Sequence, residues 1–151
     1  MTQDEKQLLL KDLCSRLPYN PKMKYAHYHK NGDDEDIVLN VYNAHKLLVG
    51  MDIYHIKPYL RPMSSMTAEE VNEYARAVCK FDKKIFGYKI KSNQIKFSIS
   101  DGEIPKEIIF YFKQIYSIEH LDFILKHHFD YRGLIEKGLA LEAPDGMYKI
   151  D

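Results

Sequence analysis

The sequence predicts an α+β domain in which antiparallel hairpins pack with about four helices. Three observations carry this. A threonine followed three residues later by a glutamate, the reciprocal helix-capping pattern, occurs at Thr2/Glu5 and at Thr67/Glu70, each time ahead of apolar residues at helical spacing. Runs rich in β-branched and aromatic residues, 37–42 and 88–99, alternate or lie between turn residues as strands do. The segments follow one another as helix, strands, helix, strands, helices, without the regular βαβ alternation of a parallel sheet. At 151 residues the chain has the length of one domain, so 1–151 reads as a single compact α+β domain. The two hairpins flanking the central helix leave a two-lobed arrangement open.

From the N-terminus, Leu9, Leu10, Leu13, Cys14 and Leu17 form one apolar stripe, so residues 3–16 make the first helix, stopped by Pro18. Tyr19-Asn20-Pro21 is a turn. Residues 23–28 and 37–42 pair as a hairpin, with Asn31-Gly32 and the acidic run Asp33 to Asp36 in its loop. Four acids in a row invite calcium, but the alternating oxygen ligands, central glycine and closing glutamate of an EF-hand loop are missing, so the run reads as a solvated tip. Residues 47–54 give another apolar strand, with Gly50 marking a bulge. Pro58 and Pro62 exclude helix from 56–66, which reads as an extended crossover whose Tyr59, Leu60, Met63 and Met66 pack on the rest of the chain.

Thr67 and Glu70 open a helix carrying Val71, Tyr74, Ala75, Val78 and Ile85, which ends near Lys84 ahead of Gly87. Residues 88–90 and 95–99 form a second hairpin with one wet face, and Asp101-Gly102 turns the chain. Residues 104–115 fit both a helix begun at Pro105 and a buried strand through Ile108-Ile109-Phe110-Tyr111-Phe112, and the reading leans to helix. Ser117 is the N-cap of a last helix, 118–127, with Leu121, Ile124 and Leu125 inward.

Lysine plus arginine equals aspartate plus glutamate at 22 each, so no global field favours nucleic acid or an anionic membrane. The polar, charged N-terminus and the absence of an 18-residue apolar run point to a cytoplasmic chain with no membrane partner. Cys14 and Cys79 lie on expected helices and outside any C-x-x-C pair, as reduced, buried thiols do. Phosphate-binding glycine loops are missing, and Ser64, Ser65 and Cys79 lack the flanking residues of a nucleophile elbow. No cofactor is expected, and a binding protein is favoured over an enzyme.

Three segments, Leu13-Cys14-Ser15-Arg16-Leu17-Pro18-Tyr19, the stretch from Ile56 to Thr67, and His127-His128-Phe129-Asp130-Tyr131-Arg132-Gly133-Leu134-Ile135 with its continuation Gly138 to Pro144, together resemble a family found in gut Bacteroidales genomes and in their prophages and mobile elements. The motifs cover about a quarter to a third of the chain. The resemblance implies a bacterial or phage-borne accessory protein of the cytoplasm. It transfers no catalytic residue, since no activity is assigned to the family.

The candidate interaction surface combines Tyr59, Leu60, Arg61, Met63 and Met66 with His127, His128, Asp130 and Arg132, because aromatic, methionine and arginine side chains concentrate at interface centres. Its expected partner is another protein. The alternative is nucleic acid or metal-dependent hydrolysis. Lys83, Lys84, Lys89, Lys91 and Lys96, with Tyr88 and Phe97, could line a single strand. His127, His128 and Asp130 have the ligand chemistry of a divalent metal site, completed by a group such as His120 or Glu119. Against this, His120 and His127 are seven residues apart, too far along a helix to share one ion. The competing structural reading is a knot in which Asp130 caps backbone donors, Arg132 pairs with a carboxylate and Gly133 takes a positive φ.

Overall fold

A computed structural model of the chain describes residues 1–26, 34–45, 53–79, 84–101 and 104–149. They fall into two compact units, Met1–Arg61 with Leu125–Asp151, and Pro62–Ile124.

In the first unit the helix α1 (Gln3–Arg16) starts as its capping box dictates: the Glu5 amide donates to Thr2 Oγ1 at 3.2 Å, and the Thr2 amide donates to the Glu5 carboxylate at 2.7 Å. Pro18 diverts the chain into a single 3₁₀ turn, Leu17–Tyr19, closed by Asn20 at φ 48°, a left-handed position that asparagine tolerates. Strands β1 (Lys22–Tyr25), β2 (Glu35–Val38), β3 (Ile56–Leu60) and β7 (Leu141–Glu142) form a sheet in the order β2-β1-β3-β7. β1 is antiparallel to both of its neighbours, whereas β7 runs parallel to β3. Leu9 and Leu13 of α1 bury against Met23, Leu39, Ile53, Ile56, Leu60, Leu134 and Leu139, one apolar core assembled from both ends of the chain.

β3 is therefore an inner strand rather than a crossover. Its backbone alternation explains how it carries Pro58. The His55 carbonyl accepts from Ala26 on the β1 side, and the Leu60 carbonyl accepts from Ala143 on the β7 side. Even-numbered residues thus turn their amides away from β1, so the missing N–H of Pro58 costs the β1 ladder nothing.

In the second unit, α2 (Ala68–Val78) follows the capping box of Thr67 and Glu70. Strands β4 (Lys84–Ile90), β5 (Gln94–Asp101) and β6 (Ile104–Tyr111) form an antiparallel sheet in the order β4-β5-β6. Helix α3 (Ile118–Lys126) closes the unit, with Ser117 Oγ accepting the His120 amide at 3.0 Å as N-cap and donating to the Ala77 carbonyl at 3.1 Å, which pins it to α2. Tyr74 of α2 is ringed by Phe97, Phe112, His120 and Phe123. With Ile95 and Ile99 of β5 they form the apolar interior.

Several expectations are corrected. Three full α-helices lie among the described residues, against about four expected, and residues 44–45 carry a further helical start. Residues 104–111 are strand β6, because paired to β5 over eight positions the Ile108–Tyr111 run half-buries alternate side chains, and Pro105 sits at the strand's start where a missing N–H is tolerated. The central helix ends at Val78, and Ile85 lies on β4. Ile53–His55 is a 3₁₀ turn, while the rest of the strand expected at 47–54, Gly50 included, falls outside the described residues, as does Asp33. Cys14 is exposed and Cys79 buried. Among the described residues no helix is long and apolar enough to cross a membrane.

Candidate functional site

The polar centre of the first unit is built on α1. Asp12 and Arg16, four residues apart on the same helix face as Leu9 and Leu13, are both completely buried. Arg16 grips the carboxylate with two nitrogens, Nε at 2.7 Å and Nη2 at 3.2 Å, and Nη2 also donates to the Phe129 carbonyl at 2.7 Å. Arg132 brings its Nε to 3.2 Å from the other side of the same carboxylate and lays its guanidinium over the Tyr131 ring at 4.6 Å. Each Asp130 oxygen accepts one amide at 2.9 Å, from Leu134 and from Ile135, and Gly133 at φ 71° makes the tight return that delivers them. The motif from Asp130 to Gly133 is thus a backbone knot tied to α1.

The same knot holds the C-terminal segment. Arg61, at the end of β3, bridges Phe129: its amide donates to the His128 carbonyl and its carbonyl accepts the Asp130 amide, both at 2.8 Å, while its guanidinium covers the Phe129 ring at 4.5 Å. His128 takes φ 58°, which a non-glycine residue adopts only when its neighbours over-determine it, and its ring stacks on Tyr148 at 3.8 Å. Burial, reinforced by the charges of Arg16, His127, Arg61 and Lys22, depresses the His128 pKa to about 3, so the ring is neutral at neutral pH. The Tyr148 hydroxyl accepts the Lys22 amide at 3.0 Å and donates to the Tyr59 carbonyl at 2.9 Å, filling the place where the β1–β3 ladder would otherwise open. Burial pushes its pKa up to about 12. Tyr59 in turn donates to Asp36 at 2.9 Å, and burial together with that carboxylate raises its pKa.

The second unit presents a different surface. Cross-strand register puts Lys89, Lys96 and Ile109 side by side, with Ser98 and Glu107 in the next row and Tyr111 beyond, all on the sheet face opposite buried Ile95, Phe97 and Ile99. A bulge between Ile85 and Gly87 places Phe86 beside Gly87 on this outer face. Phe86, Tyr111 and Ile109 are 58%, 49% and 41% exposed. Lys96 meets Glu107 at 3.2 Å, whereas Lys89 has no ion-pair partner among the described residues. The free edge of β6 is blunted: Phe112 donates to Asn93, so odd-numbered residues point outward, and there Pro105 has no N–H and the Tyr111 amide is taken by the Tyr116 hydroxyl at 2.8 Å.

Of the residues singled out for interaction, Tyr59, Leu60, Met63, Met66, His127 and His128 are buried, and Arg61, Asp130 and Arg132 are half-buried. Met63 and Met66 belong to the second unit and the others to the first. Six of the nine side chains are therefore part of the interior of their own unit, and Arg61, Asp130 and Arg132 are partly open to solvent. The metal set is not assembled: among the described residues no three His, Cys, Asp or Glu side chains form a group able to hold an ion. His120 Nδ1 accepts the Tyr116 amide at 3.2 Å, so its proton is on Nε2 and that nitrogen offers no lone pair to a metal; burial depresses its pKa to about 4. Of the nucleic-acid set, Lys89 and Lys96 share the outer face, Lys91 is in the β4–β5 turn, Phe97 is inside, and Lys83 falls outside the described residues. Asp12, Arg16, Phe86 and Tyr148 escaped the sequence reading. The first two were detectable as charges at positions i and i+4 within the apolar stripe of α1.

No protein-family model matches the chain, and no curated protein or solved structure matches it either.

Proposed function

We propose that this chain is a small cytoplasmic accessory protein of bacterial or mobile-element origin that works by binding, and that it docks another protein on the outer face of the β4–β5–β6 sheet. One observation carries the reading: Phe86, Ile109 and Tyr111 are left in solvent on the same face as Lys89 and Lys96. Aromatic and aliphatic anchors beside the unpaired charge of Lys89 suit a partner segment that is apolar with an acidic flank. Docking is on the face and not by strand addition, because the β6 edge keeps few outward donors. Those same aromatics and lysines support a second reading, a single nucleic-acid strand stacked on Phe86 and Tyr111.

The test is capture from a native lysate, with and without nuclease, by wild-type protein carrying a photo-crosslinker at Ser98, by Phe86→Ser/Tyr111→Ser and by Val41→Ser/Tyr42→Ser. Val41 and Tyr42 are exposed residues of the other unit and serve as the control. A nuclease-resistant acidic protein that crosslinks at position 98, is lost with the first variant and is kept with the second is the expected result. Capture that survives the first variant refutes the site, and capture abolished by nuclease replaces the protein by nucleic acid.

A further inference from the structure

Two features of the outer face of the β4–β5–β6 sheet serve no purpose within the unit. The first is a glycine. Gly87 stands in the interior of β4, where a residue without a side chain weakens a strand. It follows Phe86 at the bulge, but the positive-φ glycines are Gly133, Gly138 and Gly146, so the bulge does not require a glycine here. Packing does not require one either, since a Cβ on Gly87 would meet only Ser98, at 3.9 Å, an ordinary contact. An interior glycine that neither torsion nor packing calls for is what close approach from outside needs.

The second is a pair of like charges. Register sets Lys89 directly opposite Lys96, both on the outer face, and like charges so placed repel. One carboxylate serves the two: Glu107, opposite Ser98 on the far strand, reaches diagonally to Lys96 at 3.2 Å and is itself 62% exposed. Lys89 has no ion-pair partner among the described residues. Gly87, Lys89, Ser98 and Lys96 thus make a square on two neighbouring strands, with two lysines along one side and two small residues along the other.

We propose that this square is a carboxylate subsite: an aspartate or glutamate side chain within the docked segment sits over Gly87, is held between Lys89 and Lys96, and takes over the hold that Glu107 otherwise has on Lys96. The inference rests on the reading of this face as a docking surface and names the residue type that the partner places there. Phe86, beside Gly87, and Ile109, beside Lys96, flank the square and receive the apolar neighbours of that carboxylate. Glu107 is then a built-in competitor, which sets how strongly an acidic segment is preferred over a neutral one.

An NMR titration of the full chain with two end-capped tripeptides, Leu-Glu-Leu and Leu-Gln-Leu, tests this. The glutamate peptide should move the amide signals of Gly87 and Ser98 and bind about fivefold more tightly than the glutamine peptide, a margin that Lys89→Gln removes. Glu107→Gln, by releasing Lys96, should tighten the glutamate peptide alone by about two- to threefold. Gly87→Val should abolish the shifts without lowering the urea midpoint of the second unit, which separates loss of the subsite from loss of the fold. Equal affinity for the two peptides, a margin that survives Lys89→Gln, or a Glu107→Gln protein no tighter than wild type each overturns the subsite. If the peptides then still fail to bind Phe86→Ser/Tyr111→Ser, the docking face stands without it. Absence of binding by either peptide also overturns the subsite and leaves the face to be judged by the lysate capture. A short oligothymidylate that displaces the glutamate peptide and binds more tightly gives the lysines to phosphate and overturns the carboxylate assignment.

Discussion

Asp12→Ala is the most informative single change in the first unit. The Asp12 carboxylate is completely buried and receives Arg16 at 2.7 and 3.2 Å and Arg132 at 3.2 Å. Removing it strands a guanidinium that has no route to water, and breaking a buried pair by deleting one partner costs about 3–5 kcal/mol. That is a large part of the ~5–15 kcal/mol by which a domain is stable. Asp12→Leu/Arg16→Met removes both charges together, but it also strips the Phe129 carbonyl of its 2.7 Å donor and Arg132 of its carboxylate, so it should cost about 1–3 kcal/mol and not return to wild type. The assay is native-state amide exchange at Leu9, Leu13 and Leu60, whose slowest exchange reports opening of this unit separately from the other. If Asp12→Ala costs under about 1 kcal/mol, or if the double variant costs as much as the two single changes added together, the buried ion pair is not what holds α1 to the C-terminal segment.

Asp130→Ala should destabilise the first unit by roughly 2–3 kcal/mol through the stranded amides of Leu134 and Ile135, and Asp130→Asn, with one acceptor oxygen left, should recover part of that in the same exchange measurement. Tyr148→Phe should cost about 1–2 kcal/mol and speed exchange of the Lys22 amide while leaving the His128 stack in place. Both units should weaken in acid. A histidine whose folded pKa lies below its unfolded value near 6.5 contributes stability that is fully present above about pH 6.5 and is lost as the pH falls toward the folded value, near 4 for His120 and near 3 for His128. At ~1.4 kcal/mol per pH unit, this amounts to an upper bound of roughly 3–4 kcal/mol in the second unit by pH 4 and of about 5 kcal/mol in the first by pH 3. Unfolding curves between pH 7 and 4 should flatten in His128→Asn for the first unit and in His120→Gln for the second, and wild-type curves already flat across that range would show that neither imidazole is held neutral by burial.

Local signals were legible to the residue where short-range chemistry decides them. Both capping boxes form as Thr2/Glu5 and Thr67/Glu70 require, α1 ends at Arg16, and Ser117 caps α3. Long-range pairing was not. Residues 104–111 satisfy helical and strand periodicity alike, and only the eight-position register with β5 decides between them. Pro58 and Pro62 excluded helix and left 56–66 as an extended crossover, yet the amide that Pro58 lacks points away from β1, a fact fixed by which carbonyls Ala26 and Ala143 reach, and the segment pairs as an inner strand. Burial of the motif residues was equally illegible, since an arginine at position 61 gives no sign of whether Phe129 or solvent faces it.

The same ambiguity explains why the sequence pointed to one set of residues for binding and the geometry to another. Tyrosine, arginine and histidine are enriched at interfaces because each joins a large apolar body to a polar tip, and that combination equally suits a small domain that must close a core around polar backbone. What separates the two uses is where the polar tip goes. Tyr59 gives its hydroxyl to Asp36, Tyr148 to the Tyr59 carbonyl, Arg16 its guanidinium to Asp12 and Phe129, and Asp130 its carboxylate to two amides, so each spends its polar group inside its own unit. On the outer face of the second sheet Phe86 and Ile109 stand in solvent beside Lys89, whose charge no described residue answers. Surface whose apolar area and charge are both unspent is what a partner can use, which is the argument for the proposed binding face on β4–β6, while the polar groups of the C-terminal segment are taken up within the first unit.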